Sequence, residues 1–238
     1  AIHISYRKKD VDLDSIFIDV GASSKQEVID MGINVGTVAT FTDGFMKLGK
    51  DFYTGRALDN RIGGFMIAEV ARRLKEKGKE LPFKLYIVNS VQEEVGLYGA
   101  SMITETIKPN VAIVTDVCHE TSAPCYNAAK EGEHIAGQGG VITRAPAVHN
   151  ILRKLVLDTA TKKKIPFQLA ASSRSTGTDT DAFAFSNGGV PSVLISLALR
   201  YMHTCVETCH KDDVKNVIKL IYHTLLNIEE NHNFKYNA

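Results

Sequence analysis

The chain has 238 residues, of which 44% are hydrophobic and 23% charged, and its formal net charge is +1. That length can bury a sizeable core in one or two domains, and the near-neutral balance excludes a strong general field for nucleic acid or acidic membranes. No apolar run approaches the roughly 20 residues of a transmembrane helix, and four cysteines without a CxxC pair point to reduced thiols in a cytoplasmic protein.

The chain begins "AIHISYRKKDVDLD", without an initiator Met or a signal pattern, in what reads as strand, and is expected to be a fragment. "IFIDVG" (Ile16–Gly21) alternates and ends at glycine, so a strand is expected. In "SSKQEVIDMG", Ser24 and Glu27 have capping-box spacing and Gly32 is a natural stop, which predicts a short helix. "INVGTVATF" reads as one or two short strands around Gly36. "GFMKLGKD" has the spacing of a P-loop, but Asp51 stands where a Mg²⁺-binding Ser or Thr belongs, so nucleotide binding is not expected.

After Asp59 the texture changes, which sets a boundary between a strand-rich part, residues 1–54, and an α/β part, residues 55–238. Ile62, Met66, Val70 and Leu74 fall on one helical face that Gly78 ends. "FKLYIVNSV" reads as a strand, "GLYGASMITETI" as a helix, "NVAIVTDV" as a strand. "PAVHNILRKLVLDTATKKK" carries a helical stripe from Pro146 and ends in a solvated lysine run. "VPSVLISLAL" reads as a strand, and "KDDVKNVIKLIYHTLLNIEEN" as a long terminal helix. Strands alternating with helices predict an α/β fold with a largely parallel central sheet.

Acids and one histidine gather where these strands end, the usual place for sites in such folds. Asp59 stands at a helix entry. Glu93 and Glu94 follow the run ending at Val91, Asp116 closes "NVAIVTD", and His203 follows the strand holding Val193 and Ile195. Asp179 and Asp181 lie in "STGTDTDAF". Each has a plainer reading: Asp59 as an N-cap, Asp116 as a strand end, His203 as a hydrogen-bonded core histidine, Asp179 as a turn residue, the glutamates as a solvated strand end. Together they weaken those readings, because carboxylates and imidazole at the ends of one sheet are a ligand set for Zn²⁺, Mn²⁺ or Co²⁺. Adjacent carboxylates also suit a division of labour, one on the metal and one handling protons. Cys205 and Cys209, four apart in "CVETCH", would share a helical face, but no second ligand pair supports a zinc site there. There is no GxSxG or HExxH motif, and "SSRSTGT" has no evident His–Asp partner for a serine nucleophile.

In order, "ALDNRIGG", "QEEVGLYGA", "TDV", "GTDTDAF" and "RYMHTCVETCHKDDVKN" resemble the signatures of the glutamyl, deblocking and tetrahedral aminopeptidases, peptidase family forty-two, some once labelled cellulase M. The resemblance runs from about Phe17 to the C-terminal helix. It implies a three-layer di-metal exopeptidase-like domain with a small β-rich domain inserted into it, residues 1–54 being a remnant of the insert. It also implies two divalent ions, Zn, Co or Mn, bridged by a carboxylate and a water, with peptides as substrates. By match to those motifs, Asp59 is the bridging carboxylate, Glu94 and His203 are further ligands of one ion, and Asp116 is a ligand of the other. Glu93 is the general base that takes a proton from the bridging water. Gly177, Thr178 and Asp179 line the substrate pocket.

Two departures follow. Asn60 stands where many relatives carry a second Asp, at a position that is not a ligand. The family's N-terminal His-x-Asp segment, which completes the second metal site, has no match, and His3 falls in the inserted domain. One metal site is therefore expected to be incomplete and turnover low. An exposed sheet edge is expected to favour association or poor solubility, although full-length relatives form homo-oligomers. The leading expectation is a metal-dependent aminopeptidase. A catalytically incomplete scaffold subunit is the alternative, and a glycosidase is less favoured, because Glu93 and Glu94 are adjacent rather than set apart across a substrate.

Overall fold

The described residues of the N-terminal part form a pair of two-residue strands and one short helix. The computed structural model describes residues 2–3, 14, 16–42, 44–124 and 126–234, in two units, Ala1–Thr42 and Asp43–Ala238. In the first, β1 (Ile2–His3) pairs antiparallel with β2 (Phe17–Ile18). Helix α1 (Lys25–Asp30) starts as expected: Ser24 Oγ accepts the Glu27 N–H at 3.2 Å. The Glu27 carboxylate reaches back one residue further than a capping box requires, to the Ser23 N–H at 2.6 Å. The strands expected in "INVGTVATF" do not form. Val35 and Val38 are exposed, and the Thr37 N–H closes a turn on the Asn34 carbonyl.

The second unit holds the core. Its strands are β3 (Phe45–Leu48), β4 (Phe52–Gly55), β5 (Ala112–His119), β6 (Gly140–Arg144), β7 (Phe167–Ala171), β8 (Ser192–Arg200) and β9 (Glu207–His210). They form one sheet in the order β3-β4-β9-β8-β6-β7, with β5 also on β8. Residues 45–54 thus belong to the larger unit, because β4 pairs with β9. The division falls after Thr42, not after residue 54. The P-loop-like "GFMKLGKD" is the β3–β4 hairpin and its turn, with no helix after it.

The sheet is mixed rather than mostly parallel. Only the β5–β8 and β6–β7 pairs are parallel; β3–β4, β4–β9, β8–β9 and β6–β8 are antiparallel. Residues 201–206 join β8 to β9, and residues 49–51 join β3 to β4. Links so short cannot carry the crossover that parallel neighbours need.

Helices α2 (Leu58–Glu76), α5 (Asn150–Lys162) and α7 (Lys211–Asn227) pack together against the sheet. α2 buries Ile62, Met66, Val70 and Leu74 on the face the spacing predicts, and α7 buries Val214, Val217, Ile218, Ile221 and Leu225. α3 (Tyr98–Ile107) packs on α6 (Asp179–Ala184), which lies against β5 and β8, while α4 (Ala128–Glu131) is a single turn. β8 is buried along residues 192–199, as befits a central strand covered on both faces. α5 begins four residues after Pro146, because His149 Nδ1 caps it through the Leu152 N–H.

The expected strand at Phe83–Val91 forms no ladder among the described residues. β5 pairs on one side only, with β8. A groove of about 1670 Å³ is lined by residues 82–90 and 107–116, and Tyr86 and Ile87 are exposed. Strand-like composition supplies the side chains for a sheet but not a partner edge. No described helix is long and apolar enough to cross a membrane.

Candidate metal centre

Three links of the sheet converge on one cavity. The chain leaving β4 turns sharply, with Ala57 at φ +55°, and enters α2 through a cis Asp59–Asn60 peptide, so that Asp59 stands at the helix entry outside helical geometry. The link between β8 and β9 carries His203, itself at φ +63°. Ahead of α3, the Glu93–Leu97 turn folds back on itself: the Gly96 and Leu97 N–H groups donate to the Glu93 carbonyl, and the Gly99 N–H to Val91. Gly99 permits this, since a Cβ there would lie 2.2 Å from the Val91 oxygen. Eight described non-glycine residues have positive φ, and four of them, Ala57, Gln92, Tyr201 and His203, lie within two residues of the candidate site residues. Strained backbone concentrated this way is a feature of functional sites.

One ligand atom each from Asp59, Glu94 and His203 lies within 4.8 Å of the others. His203 Nε2 is 3.2 Å from Asp59 Oδ2 and 3.2 Å from Glu94 Oε2. Two carboxylates and an imidazole converging on one point form a donor set that fits a borderline divalent cation such as Zn²⁺ or Co²⁺. The Asp59 side chain is 9% exposed, whereas those of His203 and Glu94 are 64% and 54% exposed, so the group opens to solvent on one side.

The cavity around these residues measures about 350 Å³ and is also lined by Glu93, Asp116, His119, Glu131, His134, Gly177 and Thr178. Its acids sit well above the usual carboxylate range. Burial, then the Glu94 and Glu207 charges, pushes Asp59 to about 6. Burial and the neighbouring Glu94, Asp179 and Asp59 carboxylates raise Glu93 to about 7. Burial, then Glu93 and the other acids, lifts Asp116 to about 8, against the Val117 N–H that its Oδ1 accepts at 2.8 Å. Desolvated acids that raise one another's proton affinity mark a candidate functional site.

The structure therefore brings together Asp59, Glu94 and His203 as one ligand group, with Glu93 and Asp116 on the same cavity wall. Gly177 and Thr178 line the cavity, and Asp181 orients them by accepting the Thr176 and Gly177 N–H groups. Asp179 does not line this cavity, although its charge acts on Glu93 and Asp116. It faces the larger groove, accepts a hydrogen bond from Ser90 Oγ, and its Oδ1 has no partner among the described residues. Asn60 is structural: its amide donates to the Thr115 carbonyl at 2.9 Å and its Oδ1 accepts the Gly63 N–H at 2.9 Å. The side chain of His3 lies outside the described residues. Cys205 and Cys209 share no helical face, since Cys205 is in the exposed link and Cys209 is buried in β9.

Sequence reasoning missed Glu207, 2% exposed at the start of β9. Its Oε2 accepts the Asp59 N–H at 2.9 Å and its Oε1 the His203 N–H at 2.7 Å. Once "ETCH" is a strand, Glu207 and Cys209 share its buried face, and a carboxylate there requires donors.

The sequence pattern of the M42 glutamyl aminopeptidase family matches residues 2–220. The chain belongs to the M42 family. It is 37% identical over 222 residues to the lysyl aminopeptidase of Pyrococcus furiosus, covering 92% of this chain and 62% of that protein. Its fold superposes on the TET aminopeptidase of Thaumarchaeota archaeon SCGC AB-539-E09 with a TM-score of 0.88 at 31% identity, over 94% of this chain and 63% of that one. The Pyrococcus horikoshii TET1 peptidase, which can assemble into a tetrahedron or a large octahedral shell, gives a TM-score of 0.76 at 27% identity, over 95% of this chain and 66% of that chain. The chain spans a little over three-fifths of the length of the first two of these relatives.

Proposed function

We propose that this M42 chain carries the metal-binding and proton-transfer groups of an aminopeptidase that removes N-terminal residues from peptides. The observation that supports the reading most is the convergence of Asp59, Glu94 and His203 beside the glutamate Glu93. In this reading Asp59, Glu94 and His203 would hold one divalent cation, and Asp116 would hold a second together with Asp59, the one carboxylate common to both. Bound cations would supply Lewis acidity toward a water and the substrate carbonyl. Glu93 takes the proton from that water and returns it to the leaving amine. Its proton affinity near neutrality suits both directions of transfer. Gly177 and Thr178 border the first residue of the peptide.

The cavity lining includes Asp59, Glu93, Glu94, Asp116 and Glu131, and no described Lys or Arg. Reduced Cys118, Cys205 and Cys209 fit a cytoplasmic protein, and self-assembly, as in TET1, is part of the same proposal.

The test pairs metal content with catalysis. The chain is dialysed against Zn²⁺ or Co²⁺, metal per chain is counted, and hydrolysis of Lys-, Leu- and Glu-p-nitroanilide is measured on the same sample. One ion per chain with low turnover is the expected result, and two ions with high turnover would mean that the second site is complete in this chain. One ion without turnover would support the incomplete-scaffold alternative for this chain. No bound ion would overturn the metal-site reading.

A further inference from the structure

Glu207 is buried in a sheet core at 2% exposure, a position that costs free energy for a carboxylate unless donors compensate it. Two of its donors are backbone N–H groups far apart in sequence and adjacent in function. One oxygen takes the N–H of Asp59 at 2.9 Å and the other the N–H of His203 at 2.7 Å. The topology creates the juxtaposition. β4 and β9 are neighbours, with Gly55 opposite Glu207. The chain leaving β4 toward Asp59 and the chain entering β9 from His203 therefore both pass its side chain.

From these contacts, and resting on the metal-site reading above, we infer that Glu207 is a positioning residue for the metal centre. It clamps the main chain of two ligands with one rigid carboxylate. Ligands of a metal are usually oriented through their side chains. Here the hold is on the backbone, at Asp59 outside helical geometry and at His203 with φ +63°. Asp59 is in ordinary extended backbone, but His203 is in a left-handed conformation that the chain would leave readily without a tether. The two bonds are of the charge-assisted kind, which are shorter and stronger than neutral ones. A glutamine of the same shape could accept only one of the two N–H groups and would turn an NH₂ toward the other.

The test uses Glu207→Gln in the full 238-residue chain, with two readouts. The first is Co²⁺ affinity, from the visible absorption of the bound ion. The second is amide hydrogen exchange in the metal-free chain at Asp59 and His203, with the α7 amides as the folding control. The expected result is a loss of about 10–100-fold in Co²⁺ affinity, with faster exchange at Asp59 and His203 and unchanged α7. Co²⁺ affinity at the parent value, or exchange unchanged at both amides, overturns the proposal. If the parent chain itself binds no Co²⁺, the metal-site reading fails. The exchange data then still decide whether Glu207 tethers the two segments. If α7 loses protection in Glu207→Gln, the same two readouts are taken on Glu207→Asp, which keeps the charge and draws it back by one methylene. Parent-like values in that variant also overturn the proposal.

Discussion

The two sides of the cavity are built differently. On one side, Asp59 and His203 are tied by their backbones to buried Glu207, between strands β4 and β9. On the other, Glu93 follows Phe83–Val91 and Asp116 lies within β5, opposite Ser196 rather than at the strand end its sequence suggests, and these two segments border the groove and share no ladder among the described residues. The first side is held by the sheet before any cation arrives. The second has acids whose proton affinities are raised by burial and by one another, with no Lys or Arg among the described residues that line the cavity. The difference is one of tether and degree: the first side is fixed by its backbone and its Asp59 sits at about 6, while the acids of the second sit at about 7 and 8.

Glu93→Gln breaks the comparison most sharply. It removes the proton acceptor and leaves the Asp59–Glu94–His203 group chemically intact. Turnover in the p-nitroanilide assay should fall by about 10²–10⁴-fold, the usual contribution of a general base. Co²⁺ affinity should stay close to the parent value. A parallel loss of affinity would mean that Glu93 is itself a ligand and that the two sides are one.

Gly99→Ala strikes both sides at once, because the turn it permits carries Glu93 and Glu94. Its Cβ would meet the Val91 oxygen at 2.2 Å and the Val91 nitrogen at 2.6 Å, backbone atoms that cannot swing aside. The expected cost is about 1–3 kcal/mol by denaturant titration, with weakened Co²⁺ binding. Unchanged stability together with unchanged binding would show that the turn relaxes freely and does not fix the glutamates.

Much of this was legible in the sequence, for reasons tied to particular residues. Ile62, Met66, Val70 and Leu74 announce α2 because burial of one helical face needs only their spacing. Asp59, Glu94 and His203 were readable because strand ends and motif order place them. The sheet was not readable in the same way. "FKLYIVNSV" has strand composition, but a ladder is a property of two segments, and among the described residues its edges find none. The antiparallel share was hidden in two short links, residues 49–51 and 201–206, whose lengths are decisive only once β3 and β9 are recognised. Glu207 was masked by the cysteines on either side of it in "CVETCH", and its role depends on where Asp59 lies, 148 residues earlier. Asp179 was readable as an acid near the site, but its orientation toward Ser90 and the groove is a tertiary fact.

The smallest expected effect is also the most direct test of proton storage. In the metal-free chain Asp59, Glu93 and Asp116 have folded-state values of about 6, 7 and 8, against an unfolded value near 4 for ordinary carboxyls. Between those limits the folded chain binds more protons than the unfolded one, so stability falls as pH rises. The contribution of these acids is fully present below about pH 4 and is lost as pH climbs through 6 to 8. Thermal unfolding of the metal-free chain should therefore show a midpoint that declines by several degrees from pH 5 to 8.5. Saturating Zn²⁺ or Co²⁺ should flatten the decline, because a cation that replaces those protons binds only the folded arrangement. Asp116→Asn should remove the upper part of the decline, near pH 8, and leave the part near pH 6. A midpoint that rises across this range, or that Asp116→Asn leaves unaltered, would mean that the acids on the groove side are already ionised in the fold and that the two sides of the cavity do not differ in charge.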